Sequence, residues 1–163
     1  MSDKQRDFRA LSPFTAQALP AAQEREALLS CNQITAAHGL ILSPAQAVAV
    51  VRSQQASLAQ AGRFAFDGGA AAAIAQAFCD SRYLTQENYA DTLMALIDIF
   101  YQLQNDTEDA LDDETLIAAM KNAFEDECRG EVELLAAKFL PEFVRQLRLR
   151  GAVDWMEECY DDE

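Results

Sequence analysis

The sequence has little of what a membrane or secreted protein carries. No stretch approaches the roughly 18 to 20 consecutive apolar residues of a membrane-spanning helix, and residues 1–6 are followed by no long apolar run. We therefore predict neither a secretory signal nor a membrane anchor. These absences favour a cytoplasmic protein that does not bind membranes.

Cysteine and histidine are also scarce. The four cysteines lie far apart in the sequence, at Cys31, Cys79, Cys128 and Cys159. They lack both the paired spacing of a zinc site and the density of a disulfide scaffold, so we expect reduced thiols. The single histidine, His38, precedes Gly39 at a predicted helix end, where an imidazole can bind terminal carbonyls. We predict no metal ion, no cofactor and no catalytic residue.

Basic residues are outnumbered two to one. The chain has 13 Lys and Arg against 27 Asp and Glu, which gives a net charge of −14. Residues 104–128 hold nine acids and Lys121 alone, and residues 154–163 hold six acids and no base. Such a field repels phosphate backbones. We therefore expect no direct nucleic-acid binding, and a basic protein is the natural partner.

The acidic run at residues 106–114 does not match a calcium-binding loop. Counted from Asp106, it lacks the glycine at the sixth position and the glutamate at the twelfth position of an EF-hand. We expect its acids to face solvent and to favour the start of the following helix, where carboxylates complement the helix dipole.

What the sequence does contain is helical periodicity. We predict an all-α fold, a single-domain bundle of about five to seven helices with at most one very short extended segment near residues 63–66. Residues 1–21 are interpreted as an N-terminal arm because Pro13 and Pro20 interrupt the periodicity. Residues 22–151 form the predicted helical domain, and residues 152–163 form an acidic C-terminal tail.

Capping signals set the helix boundaries. Six helices are predicted, over about residues 22–38, 44–61, 70–79, 86–104, 113–128 and 131–150. Three of them have a predicted N-cap, at Ser43, at Thr85 and at Asp112 or Asp113. The first is the clearest, because Pro44 and Gln46 follow it in the order of a capping box. Pro141 is expected to kink the last helix or to open a separate one.

A candidate interaction surface lies around the turns that bracket the third predicted helix. It contains Arg63, Asp80, Ser81, Arg82, Tyr83, Asn88 and Tyr89. The candidate surface also includes Asp109, Asp112 and Asp113 of the acidic face at residues 104–128, and a partner is expected to use either this face or the turn around residues 80–83. Polar side chains on loops held by a rigid scaffold are where binding sites occur. The structural alternative is that Arg63 pairs with Asp80 and that both tyrosines pack while their hydroxyls stay in water.

Four groups of short segments carry a family resemblance. They are CN at 31–32 with HGL at 38–40, GR at 62–63 with Phe66, AFCDS at 77–81 with Tyr83, and NYADTL at 88–93. Together they resemble an uncharacterised family of small bacterial proteins, mostly from Firmicutes, classified only as a domain of unknown function. The similarity covers about residues 28–147. It implies a bacterial cytoplasmic protein and supplies no activity, and Arg82 stands where the family carries proline.

These observations favour a non-catalytic binding or regulatory subunit of a bacterial protein complex. The absence of catalytic groups and the concentrated charge support this hypothesis, and a homo-oligomer stays open. One alternative is an acidic inhibitor that mimics nucleic acid in the groove of a basic protein. Another is a thiol enzyme that uses Cys79 or Cys128 with His38, which requires a thiol with a lowered pKa.

Overall fold

The computed structural model describes residues 13–63 and 69–150, with side chains from residue 21 onward. The helices are α1 (Pro13–Thr35), α2 (Pro44–Gln60), α3 (Ala71–Phe78), α4 (Tyr89–Asp106), α5 (Asp113–Glu125), α6 (Val132–Leu134) and α7 (Leu140–Arg150). No strand occurs among these residues, so the predicted all-α single-domain bundle is confirmed. The predicted extended segment lies outside them except for Arg63, and so do residues 1–12 of the predicted arm and the whole acidic tail.

Helix α1 begins earlier than the sequence predicted. It starts at Pro13 and continues through Pro20 to Thr35, so the predicted start at residue 22 was wrong. Pro13 occupies the first position of α1, where a proline fits without loss of a helical hydrogen bond, whereas Pro20 lies in the interior and removes one N–H donor without ending the helix. The predicted start was too late because Pro20 was expected to exclude a helix on its N-terminal side. At the other end, a 3-10 turn (Ala36–His38) leads into Gly39 in the left-handed conformation, as expected of that glycine.

Two of the predicted N-caps have their expected geometry. The Ser43 hydroxyl accepts from the Gln46 N–H at 3.1 Å, and the Gln46 amide oxygen accepts from the Ser43 N–H at 2.9 Å. Together with Pro44 in the first turn, these bonds confirm the capping box of α2. Asp112 accepts from the Thr115 N–H at 2.7 Å and caps α5. Local sequence signals therefore set both of these helix starts.

The predicted start of α4 at residue 86 was wrong by one turn. Thr85 and Asn88 exchange side-chain bonds with each other's backbone N–H, at 2.8 and 3.3 Å, which is the pattern of a capping box. The turn that they close is not yet α-helical, and α4 begins at Tyr89. Thr85 thus stabilises the turn that precedes α4 and is not the N-cap of the helix.

The last helical segment is divided as Pro141 indicated. A π-helical turn (Leu135–Phe139) separates α6 from α7 and ends directly before Leu140 and Pro141. Proline lacks the N–H that would continue the α-helical ladder, and π turns occur where that ladder is interrupted. Downstream of this turn α7 presents Phe143, Val144 and Leu147 to the core.

The core is centred on α4, which packs against α2, α3, α5 and the last helical segment. The apolar face of this helix is buried along its whole length, at Tyr89, Leu93, Leu96, Phe100 and Leu103. Phe124 of α5 meets the Phe78 ring of α3 edge-on, with ring centroids 5.4 Å apart. This packing sets α3 and α5 side by side and leaves a groove between them.

Candidate interaction groove

A surface groove of about 490 Å³ runs between α3 and α5. It is lined by Ala73 and Ala77 of α3 and by Asp113, Glu114, Ile117, Ala118, Lys121 and Asn122 of α5. We call these eight residues the α3–α5 groove. Its floor is alanine and isoleucine, and its polar groups stand at the two ends. The groove connects the two regions that the sequence singled out, the acidic stretch and the turn at Asp80.

The Lys121 end of the groove is fixed by two bonds from one ammonium group. Lys121 Nζ donates to the Ala77 carbonyl at 3.1 Å and pairs with the Asp80 carboxylate. It also lies 5.9 Å from the centre of the Phe78 ring. The hydrogen bond from Lys121 holds the pKa of Asp80 below its usual range. The ammonium is therefore neutralised locally, and the C-terminal end of α3 is tied to α5.

The other end of the groove is acidic. Asp113 and Glu114 are exposed in the first turn of α5, next to the exposed N-cap Asp112. Asp113 accepts from the Gln104 amide at 2.6 Å, which fixes its orientation against α4. Hydrogen bonds from Thr115 lower the pKa of Asp112, so this carboxyl stays ionised at neutral pH. No basic side chain lines this end of the groove among the described residues.

Arg63 contacts the end of α4 and the loop that follows it, and not the Asp80 turn. Its guanidinium pairs with Asp109 at 2.8 Å and also donates to Asn105 and, at 3.5 Å, to Gln104. The predicted pairing of Arg63 with Asp80 was therefore wrong, because Asp80 lies with Lys121. The contact with Arg63 lowers the pKa of Asp109, whose backbone is left-handed (φ 58°). Arg63 thus anchors the loop that precedes α5.

The turn after α3 is held in place by packing of Tyr83 against α5. Tyr83 meets the Phe124 ring edge-on at 6.1 Å, and the exposed Arg82 lies 5.6 Å from the centre of the Tyr83 ring. Ser81 is buried, and its hydroxyl accepts from the Tyr83 N–H at 3.2 Å. Of these three residues only Arg82 is fully available to a partner, so Ser81 belongs to the support of the site.

The prediction that Tyr89 belongs to the interaction surface was wrong. It is only 1% exposed, and its hydroxyl faces Thr35 close to Cys31 and Cys79. Burial raises the pKa of Tyr89 to about 12. It therefore cannot contact a partner in this conformation. Asn88 is exposed, and its amide is used in the turn, donating to the Tyr83 carbonyl at 3.1 Å.

The start of α3 is held by side chains from distant helices. Tyr101 Oη accepts from the Ala70 N–H at 3.0 Å, and Gln54 Oε1 accepts from the Ala71 N–H at 3.0 Å and from Tyr101 Oη at 3.3 Å. Gln54 Nε2 donates to Glu24 at 2.8 Å, and Glu24 is only 4% exposed. Helix N-termini have unpaired N–H donors that must find acceptors. This buried network supplies two of the acceptors, Tyr101 Oη and Gln54 Oε1, and so fixes the α3 wall of the groove.

Of the cysteines that the structure describes, Cys79 and Cys128 lack the environment of a nucleophile. Cys31, Cys79 and Cys128 are buried and unpaired. Burial raises the pKa of both Cys79 and Cys128, and a nearby carboxylate raises each further, Asp80 in the first case and Glu127 in the second. A catalytic cysteine needs the opposite shift, because the thiolate is the reactive form.

We predict slow thiol labelling of the folded protein. In a Cys159→Ser variant, a disulfide reagent at neutral pH should label the native chain at least about a hundredfold more slowly than the chain in denaturant, since reaction requires local opening. The release of the reagent's chromophore measures both rates. Rapid labelling of Cys79 or Cys128 in the native protein, located by peptide mass, would favour the thiol-enzyme hypothesis instead.

Sequence reasoning missed the floor of the groove. It identified Asp80, Asp112 and Asp113 at the ends but not the alanines between them. The available signal was Ala73 and Ala77 one helical turn apart, which puts two small side chains on the same face of α3. Alanine is common in buried helix faces, so this signal alone does not distinguish a groove from a close helix contact.

A sequence model of one protein family matches residues 27–153 of the chain. That family is described as a family of unknown function (DUF6323). The match covers α2 to α7 and residues 27–35 of α1. It confirms the family resemblance, while the bacterial origin that the resemblance implied stays a prediction. No curated protein and no solved structure matches the chain. Among the described residues no helix is both long and apolar enough to cross a membrane.

Proposed function

We propose that this chain, which belongs to the family of unknown function DUF6323, is a non-catalytic binding or regulatory subunit of a protein complex in the bacterial cytoplasm. The observation that carries the proposal is the α3–α5 groove. Both regions predicted as interaction surfaces adjoin it, one at Asp113 and the other at the Asp80–Lys121 pair. A concave, largely apolar surface with oriented polar groups at its ends is suited to binding.

The chemistry around the groove supports binding more than catalysis. Asp80 and Asp112, which stand beside the groove, are exposed, and hydrogen bonds from Lys121 and Thr115 lower the pKa of these two carboxyls, so neither is suited to act as a general acid at neutral pH. The lysine that lines the groove is paired with Asp80. In the described part of the chain, no three or more His, Cys, Asp or Glu side chains are grouped so that they could hold a metal ion.

The proposal predicts that filling the groove abolishes complex formation. Ala73→Glu combined with Ala118→Glu places two bulky charged side chains on the floor of the groove, one from α3 and one from α5, at positions that are exposed and so tolerate substitution. A protein that copurifies stoichiometrically with the wild-type chain from native extract should be lost, with at least a tenfold drop in recovery. The recovered protein, made recombinantly, should form a complex with the wild-type chain on size exclusion.

The matched control carries the same charge elsewhere. Ala49→Glu combined with Ala56→Glu changes two exposed alanines of α2, away from the groove. This variant should recover the partner as the wild type does. Equal recovery by the groove variant and the control would contradict the proposal, as would equal loss, which would show a response to total charge.

The nucleic-acid-mimic hypothesis makes a different prediction for the same variants. A mimic binds through exposed carboxylates, so added glutamates should leave binding unchanged or strengthen it, and binding should fall steeply with salt. Loss of the partner in the groove variant alone, with modest salt dependence, favours the binding-subunit function.

A further inference from the structure

We infer that the element of the partner that occupies the α3–α5 groove is a basic amphipathic helix of about two to three turns. This inference rests on the proposed function and specifies the partner of the same site. Four features support the inference: the length of the groove, its alanine floor, its charge and the helical structure that surrounds it.

The length follows from the spacing of the lining residues. On α5 they form two rows with a four-residue repeat, 113–117–121 and 114–118–122, and on α3 they form one row, 73–77. At 1.5 Å per residue, the stretch from Asp113 to Asn122 measures about 14 Å. A helix of roughly nine residues laid along the groove would span it.

The floor suits a helix because it lets a third backbone approach closely. Ala73, Ala77 and Ala118 present only methyl groups, and Ile117 is buried between them and the core. Helices pack by fitting the ridges of one into the groove of another, at interaxial distances of 8–10 Å that depend on the side chains in contact. Apolar side chains on one face of the partner helix would fill the space above the alanines.

The charge of the groove selects a basic occupant. Asp113 and Glu114 line it and Asp112 stands beside them, whereas its lysine is already bound by Asp80 and by the Ala77 carbonyl. Lysine or arginine on the flanks of the docked helix would meet these carboxylates. The net charge of −14 adds a long-range attraction for a positively charged partner.

Other modes of peptide binding find no counterpart here. Strand addition needs an exposed sheet edge, and the described residues contain no strand. Proline-rich segments dock in aromatic-lined grooves, and no aromatic side chain among residues 21–63 and 69–150 lines this one. A helix in a groove between two helices remains as the mode that matches these walls.

Three synthetic peptides test the inference on the full chain. The first is a 14-residue peptide of leucine and lysine with an apolar face at helical spacing, the second has the same composition in scrambled order, and the third replaces lysine with glutamate. Fluorescence anisotropy at moderate salt measures their affinity. We expect the amphipathic basic peptide to bind at least tenfold more tightly than either of the others.

The groove variants separate shape from charge. Ala73→Glu combined with Ala118→Glu should weaken the amphipathic basic peptide at least tenfold despite adding two negative charges, whereas Ala49→Glu combined with Ala56→Glu should not. Equal binding of the ordered and scrambled peptides, or unchanged binding to the groove variant, overturns the inference. If the peptides fail but the cellular partner is still lost in the groove variant, the proposed function stands and only the helical, basic partner is wrong.

Discussion

Gly130→Ala is expected to lower the free energy of unfolding by about 3 kcal/mol. Gly130 has a left-handed backbone (φ 82°), and its N–H closes the end of α5 by donating to the Phe124 carbonyl at 2.8 Å. A Cβ at this position would overlap the Cβ and Cγ of Tyr83. These atoms are the base of the Tyr83 side chain, so a change of rotamer does not move its Cβ away, and the backbone of the turn must shift instead. Chemical denaturation monitored by circular dichroism measures the loss.

Gly39→Ala is the matched control for this substitution. Gly39 has nearly the same backbone conformation (φ 77°), but an added Cβ there meets no atom within 4 Å. It should therefore show only the cost of a left-handed alanine, about 1 kcal/mol. Equal effects at the two glycines would mean that the Tyr83 contact contributes nothing, and that the turn carrying Arg82 is not braced as the structure indicates.

Gln54→Leu is expected to destabilise the fold by about 4 kcal/mol. The substitution removes the acceptor of the Ala71 N–H and of the Tyr101 hydroxyl, and it removes the donor to the buried carboxylate of Glu24. Unpaired buried polar groups cost far more than the net value of the bonds they lose. Thermal and denaturant unfolding measure the effect. Gln55→Leu, at a half-exposed position of the same helix, should change stability by less than about 0.5 kcal/mol.

The effect of Gln54→Leu should depend on pH with a definite sign. Burial raises the pKa of Glu24, and the hydrogen bond from Gln54 opposes that rise. A carboxyl with a raised folded-state pKa contributes stability below its unfolded pKa and loses it as the pH rises through the folded value. Without the Gln54 donor this loss grows, and it begins near pH 4, about the pKa of an unperturbed glutamate. We therefore expect a larger destabilisation at pH 7 than at pH 4.

A second substitution tests whether the buried charge causes that pH dependence. Adding Glu24→Leu to Gln54→Leu removes the uncompensated carboxylate, so the double variant should be more stable than Gln54→Leu alone at pH 7. It should also show a flatter pH profile. A double variant whose losses simply add would contradict a direct interaction between the two side chains.

Both substitutions bear on the groove through the elements that form it. Gly130 and Tyr83 hold the end of α5 against the turn after α3, and Gln54 holds the start of α3. Either substitution is expected to weaken partner binding under conditions in which the chain is still folded, because the spacing of the two walls depends on both contacts.

The sequence by itself determined the helices and most of their starts. Ser43, Pro44 and Gln46 are within three residues of one another, so their capping box needs no other part of the chain. The same holds for Asp112 and for the apolar stripe of α4. These features follow from backbone hydrogen bonding and helical periodicity, which act over a turn or two and are therefore legible in the order of residues.

Only the tertiary structure decided which side chains meet. From the sequence, Arg63 was the expected ion-pair partner of Asp80. In the fold Asp80 pairs instead with Lys121, which is 41 residues away. The sequence prediction placed Tyr89 on a surface, whereas the fold buries this side chain, with its hydroxyl near Thr35. The N-terminus of α3 carries no local cap and is held by Gln54 and Tyr101, 17 and 31 residues distant. Contacts between helices depend on their crossing and register, which no local pattern encodes. The sequence could therefore mark the ends of the groove but not the groove itself.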